Sequence, residues 1–271
     1  MNVAVVGHVE WIEFVRVDHV PAPGEIVHAL ETWEEPAGGG AVAAVQLANL
    51  GAAVRFYTAL GSDRLGREAR TQLERRGVTV HATSVEGPQR RGYTYVDGEG
   101  ERTITILGDK LVPRGADGSL PWEELAGADA VFFVSGDVEA LRRARRARTL
   151  VATARELGTL RRAGVELDAL VGSGEDEDER YRPGDLDPAP RIVITTAGAL
   201  GGWIQPGGPF TAAPLPGTVA DAYGCGDCFA AGVTYGLAAG RPIEEAVELG
   251  GRCGAAVLCG RGAYAGQLAQ A

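Results

Sequence analysis

The sequence predicts an α/β fold: a mainly parallel central sheet, helices on both of its faces, and a small β-sheet lid. Short, continuously apolar runs recur along the chain: VAVVG (3–7), VRFYTALG (54–61), ADAVFFVSG (128–136), LDALVGS (167–173) and RIVITTAG (191–198). Runs of this kind suit strands buried on both faces. Helical patterns separate them, which makes the strands parallel neighbours in one sheet. Two partly polar runs and a hairpin fall outside this alternation and predict the smaller sheet.

The elements follow in order. EWIEFVRV (10–17) alternates, with Trp11, Phe14 and Val15 set among charges, and EIVHALETW (25–33) is a second strand-like run. GGGAVAAVQLANLG (38–51) is a glycine turn leading into an apolar helix closed by Gly51. DRLGREARTQLERRG (63–77) is an amphipathic helix from Asp63 to Gly77. In RRGYTYVDGEGERTITILG (90–108), Tyr93 and Tyr95, then Ile104 and Ile106, alternate about Asp97-Gly98-Glu99-Gly100, a hairpin pattern. Residues 139–150 read as a basic helix, and 149–164 as a weak strand and a helix. FAAGVTYGLAAG (229–240) and IEEAVELGGRCGAAVLCG (243–260) are apolar helices. With no internal repeat or long linker, residues 1–271 form one domain, its lid built from about 10–35 and 90–108.

Composition narrows the function. The net charge of −10 over 271 residues argues against nucleic acid as a partner. LRRARRAR (141–148) carries five arginines but no interleaved aromatics, so it reads as a solvated helix face. No basic leader with an apolar core opens the chain, and no run approaches the roughly 18 apolar residues of a membrane span. Four cysteines do not make a disulfide scaffold. The expected compartment is the cytoplasm, with thiols reduced and no membrane partner.

The richest chemistry lies in DAYGCGDCFAAG (221–232). Cys225 and Cys228 have the spacing of a redox pair or half a zinc site. Cys253 and Cys259 follow as C-x5-C, wider than a zinc knuckle, and all four also suit small buried side chains. As backbone, Gly224-Cys225-Gly226-Asp227 is a glycine turn before a helix beginning near Cys228. Converging N–H groups at a helix start suit an anion, and a carboxylate there suits a base for a substrate hydroxyl. An ordinary helix-capping Asp is the bland alternative. Cys225, inside such a turn, is expected to have a lowered pKa and to react with thiol reagents. GEDEDER (174–180) could hold Mg²⁺ or be a solvated turn. His8, at the end of the first core strand, lies where open α/β sheets bind ligands. A structural histidine is the competing reading.

DAYGCGDCFAAG resembles the D-T-x-G-A-G-D-x-F signature of the PfkB carbohydrate kinase family, which is ribokinase-like. AGGGAVAAVQLANLG (37–51) is similar to that family's N-terminal Gly-Gly signature, ALGSDRLG (59–66) to its G-x-D-x-x-G turn, DGEGERT (97–103) to its lid hairpin, and TAGALG (196–201) to its T-x-G-x-x-G nucleotide loop. The resemblance implies a ribokinase-like fold and ATP-dependent phosphorylation of a hydroxyl on a sugar or sugar-bearing small molecule. It implies Asp227 as base and Gly224, Cys225 and Gly226 as the anion hole. Thr196, Gly198 and Gly201 would line the nucleotide site, with Cys253 and Val257 flanking the adenine. Gly38, Gly39 and Gly40 would lie against the acceptor. It further implies Mg²⁺, a monovalent cation near Asp221, and a homodimer contact through the lid.

Departures cluster at the acceptor end. The family's substrate-binding Asp aligns with Ile12, leaving Glu10 or Glu13 to substitute. Its Asn after Gly-Gly aligns with Val42. Its N-x-x-E, tied to magnesium, falls on Ser173 and Asp176, which makes Asp176 the candidate metal ligand. Ala222 and Cys225 replace the usual Thr and Ala. The rival readings are a catalytically weakened nucleotide or sugar sensor, and a thiol or metal protein built on the cysteines.

Overall fold

Val3 and Val5 face one hydrophobic core while Ala4 and Val6 face another, and all four side chains are fully buried. This alternation is why VAVVG is apolar throughout. The computed structural model describes residues 1–269. Numbered in chain order, the strands are β1 (Asn2–Val6), β2 (Glu10–Arg16), β3 (Glu31–Ala37), β4 (Ala53–Gly61), β5 (Val78–Val85), β6 (Arg91–Val96) and β7 (Arg102–Leu107). Then come β8 (Ala130–Phe133), β9 (Leu150–Thr153), β10 (Ala169–Ser173), β11 (Val193–Thr196), β12 (Gly202–Gln205) and β13 (Gly208–Phe210). The helices are α1 (Gly39–Asn49), α2 (Arg64–Arg75), α3 (Val138–Ala144), α4 (Leu157–Ala163), α5 (Cys225–Ala238) and α6 (Ile243–Leu258).

The large sheet runs β13-β12-β11-β10-β9-β8-β1-β4-β5. It is parallel from β11 to β5, and β12 and β13 add an antiparallel edge. Helices α1, α5 and α6 pack on one face, α3 and α4 on the other. The expected parallel sheet and lid are both present, and the lid is a separate sheet ordered β3-β2-β6-β7. Outer strand β7 has every residue exposed, including Ile104, Ile106 and Leu107.

Three expectations need correction, and two elements went unread. The second lid strand is Glu31–Ala37, not 25–33; Ile26 and Leu30 stand in solvent with no strand to pair. VTVHATSV forms the sheet edge β5, which its mixed polar pattern hid. The hairpin β12–β13 is too short to show a period. The basic run is helical only to Ala144; Arg143, Arg145, Arg146 and Arg148 then pair with Glu123, Glu139, Asp168 and Asp129. Helix α5 begins at Cys225, three residues earlier than expected, because Gly224 takes the left-handed conformation (φ 77°, ψ 6°) and starts the turn there.

Close packing of α5 on α6 fixes the direction of α5. A Cβ on Gly232 would lie 2.7 Å from the Gly250 Cα, and one on Gly250 would lie 2.7 Å from the Phe229 carbonyl oxygen. Backbone cannot yield as a flexible side chain can. Gly232→Ala is therefore expected to destabilise the protein by about 1–3 kcal/mol, read as a lower urea midpoint with an unchanged slope.

Candidate active site

Asp227 lies in the first turn of α5, opposite Gly39 at the start of α1. A Cβ on Gly39 would stand 2.6 Å from Asp227 Oδ1, so only glycine admits the carboxylate there. Gly224 is constrained similarly: its Cβ would meet Val42 Cγ1 at 2.9 Å. Val42 thus serves as the wall on which the glycine turn rests. First-turn amides have no partner within a helix, so those of residues 225–227 are available to an anion.

Burial raises the Asp227 pKa from 3.8 to about 6. Glu179 pushes the same way, Arg102 and Arg155 oppose it, and Glu10 adds a smaller upward push. Arg155 follows β9 and is held by Asp176 (2.5 Å) and Glu179 (2.6 Å). Glu179 also accepts a hydrogen bond from the Ser173 amide (2.9 Å). Asp176 caps its own turn by accepting from the Asp178 amide (3.0 Å). These carboxylates can offer oxygens to Mg²⁺ alongside phosphate oxygens, the usual way that ion is held at a kinase site.

A cleft of about 1280 Å³ joins these groups. Its wall includes Thr196, Gly198 and Gly201 from the β11 loop, Gly224–Asp227, Arg155, Asp176 and Glu179. The adenine-side expectation needs correction. Cys253 and Val257 are fully buried in the core, because α6 turns that face toward α5. Its cleft face carries Gly251, Gly254, Ala255 and Leu258 instead.

Behind Asp227, outside that wall, lie the glycines expected to meet the acceptor. Gly38 packs on Glu10 and His8, with its added Cβ 3.2 Å from each, and Gly40 packs on the His8 backbone. The Gly38 amide donates to Tyr223 Oη (3.1 Å). Glu10 is buried and paired with Arg90 (3.1 Å), and lies 3.7 Å from His8 Nε2; His8 Nδ1 is 2.9 Å from Ser135 Oγ. Burial lowers the His8 pKa well below the usual value, and Lys110, Arg90 and Arg155 lower it further. His8 is therefore neutral at pH 7. Burial raises the Glu10 pKa, opposed by Arg90 and Lys110. Ile12 is fully buried, so its position offers the acceptor no polar group; Glu13 pairs with Arg91 at the lid surface.

The cysteine expectation is overturned. Burial raises the Cys225 pKa, and Asp227 adds to the rise against Arg102. The helix terminus does not offset the lost solvation. Cys228 and Cys253 are buried, all four thiols are free, and among the described residues no group of three or more His, Cys, Asp or Glu could hold a metal ion. Arg90, Lys110 and Arg155 were missed from sequence, whereas Glu179 lies in the acidic run 174–180 singled out for Mg²⁺; the one signal for the others was Lys110, the chain's only lysine.

A cleft at the carboxyl edge of a parallel sheet, a β lid, and a half-buried carboxylate beside a glycine-rich helix start are the parts of a kinase that phosphorylates alcohols. The chain belongs to the PfkB family: the model for pfkB family carbohydrate kinases matches residues 1–159 and 165–270. It is therefore an ATP-dependent phosphotransferase of the sugar kinase class. It is 28% identical over 298 residues to an ATP-dependent ribose-1-phosphate kinase from Halopiger xanaduensis, covering 100% of this chain and 96% of that one. Among solved structures, Thermotoga maritima ribokinase matches with a TM-score of 0.79 at 23% identity, covering 99% and 96% of the two chains. Arabidopsis thaliana ribokinase, complexed with ribose and ATP, matches with 0.73 at 18%, covering 96% and 93%.

Two outcomes follow. An Asp with a raised folded pKa costs stability once ionised. Below the unfolded value of 3.8 both states are protonated and there is no cost; the cost grows as pH rises and is complete above about 6. Asp227 is partly open to the cleft, so Asp227→Asn should stabilise the free protein by about 2 kcal/mol near pH 8, with the gain fading toward pH 4. Equal stabilities at pH 8 would contradict the burial argument. Separately, iodoacetamide near pH 7 should alkylate Cys225 several-fold more slowly than free cysteine, measured by peptide mapping.

Proposed function

We propose that this kinase transfers the γ-phosphoryl group of ATP to a hydroxyl of a sugar that already carries a phosphate. The carrying observation is a pair of cationic side chains beside the buried His8: Arg90, paired with Glu10 (3.1 Å), and Lys110, paired with Glu156 (2.9 Å), both near enough to lower the His8 pKa. Arg and Lys side chains recognise phosphate through charge-assisted hydrogen bonds. The ribose-1-phosphate kinase relative supports the same acceptor class.

In this reading the acceptor lies over Gly38, Gly39 and Gly40, with Glu10 in place of the family's substrate-binding Asp. Asp227 takes the proton from the attacking hydroxyl as the oxygen–phosphorus bond forms and the bond to ADP breaks. The amides of Gly224, Cys225, Gly226 and Asp227 stabilise charge on the transferring phosphoryl group. A pKa near 6 leaves Asp227 ionised at neutral pH while keeping it a better base than an ordinary carboxylate. Thr196, Gly198 and Gly201 line the nucleotide. Asp176 and Glu179 would hold Mg²⁺, which neutralises charge on the phosphates when bound. The lid closes over the acceptor and excludes water, the competing phosphoryl acceptor. The exposed apolar side chains of β7 are compatible with a lid-mediated homodimer.

An ADP-release assay over ribose, ribose 1-phosphate, ribose 5-phosphate and nucleosides tests the acceptor class. We expect kcat/KM for a phosphorylated sugar to exceed that for its neutral parent by about a hundredfold, and Lys110→Gln to remove about tenfold of it with the ATP KM unchanged. A neutral sugar or nucleoside as the best acceptor would overturn the phosphate assignment. ATP binding with no turnover on any acceptor would favour the sensor.

A further inference from the structure

The loop that delivers Asp227 runs through Asp221, whose side chain has no exposed surface. A monovalent cation there would need free oxygens. The Asp221 carboxylate already accepts from two amides: Tyr223 N to Oδ1 (2.8 Å) and Gly262 N to Oδ2 (2.9 Å). Each flanking carbonyl is also engaged by a guanidinium group. Arg16 Nη2 donates to the Ala220 oxygen (3.1 Å), and Arg102 Nη1 donates to the Ala222 oxygen (2.9 Å). Both arginines come from the lid, at the end of β2 and the start of β7. The lid turn adds a third tie, since the Ala222 amide donates to the Gly100 oxygen (3.0 Å).

These surroundings do not fit a monovalent cation. A partly dehydrated ion would compete with guanidinium groups for the same carbonyl oxygens and add a third positive charge beside two. We propose that Arg16 and Arg102 are the built-in counter-cations of this loop, and that the enzyme works without a monovalent cation. Two guanidinium groups compensate the buried Asp221 charge and fix the carbonyls on either side of it. The chain from Ala220 to Gly224 is thereby held in the path that starts α5 and sets the Asp227 carboxylate against Gly39. Arg102 also lines the cleft. It is a positioning residue that ties the lid's first outer-strand residue to the loop carrying the anion hole.

The rate readout rests on the kinase reading; the binding readout does not. Thermal unfolding of the wild-type protein is followed in potassium chloride and in tetramethylammonium chloride at equal ionic strength, about 0.1 M, to hold screening constant. Steady-state rates are measured in the same two salts. We expect matching midpoints, and rates within about twofold of each other. A midpoint raised specifically by potassium would overturn the proposal even if no acceptor had been found. So would a rate raised about tenfold or more by potassium. In Arg102→Ala we expect the ADP-release rate to fall and then recover on adding guanidinium ion, with ATP affinity little changed. Arg102→Lys should retain more activity than Arg102→Ala. A fall in Arg102→Ala that guanidinium does not reverse, in protein with wild-type circular dichroism, would remove Arg102 from the positioning role. If no acceptor is turned over at all, the kinase reading fails while the midpoints still decide the cation question.

Discussion

The approach of Asp227 to Gly39 is the constraint on which the site depends. It brings the start of α1 against the start of α5. Neither residue could be exchanged for a larger one without parting those helices. The carboxylate sits there at an energetic cost, since burial and the nearby Glu179 oppose its charge. Arg102 and Arg155 return part of that cost. The same two arginines lie on the cleft wall, so the charge that steadies the free site also faces the place where phosphates arrive.

Seen this way, the site is an alternation of charges across three layers. Glu10 pairs with Arg90 on one side of Asp227, and Arg155 pairs with Asp176 and Glu179 on the cleft wall. The lid fastens to the middle layer through Arg16 and Arg102. Lid position and the path of the catalytic loop are therefore one structural variable rather than two. Packing of α5 on α6 through facing glycines holds the loop from the opposite side.

Much of this was readable in the chain. Core strands announced themselves because burial on both faces demands apolar residues throughout. The glycine turns at 38–40 and 224–226 were legible because few other sequences let backbone come so close. What escaped had physical reasons. Strand β5 and the β12–β13 hairpin lie at sheet edges, where one-sided exposure dilutes the pattern. Cys253 and Val257 followed from the family resemblance, on a helix whose rotation only packing sets. Arg90, Lys110 and Arg155 lie in no shared motif, and only the fold brings Arg155 against Glu179 of the acidic run. At Cys225 the partial burial of the thiol and the neighbouring Asp227 charge raise the pKa despite the helix start.

The central claim is that Asp227 removes the acceptor's proton from its place between Gly39 and the first turn of α5. A single-turnover measurement on Asp227→Asn, alongside ATP binding to the same protein, tests it most directly. The account predicts phosphoryl transfer slowed by about a thousandfold or more, with the ATP dissociation constant within about threefold of wild type. Transfer within about tenfold of the wild-type rate would contradict it and move the base elsewhere in the cleft.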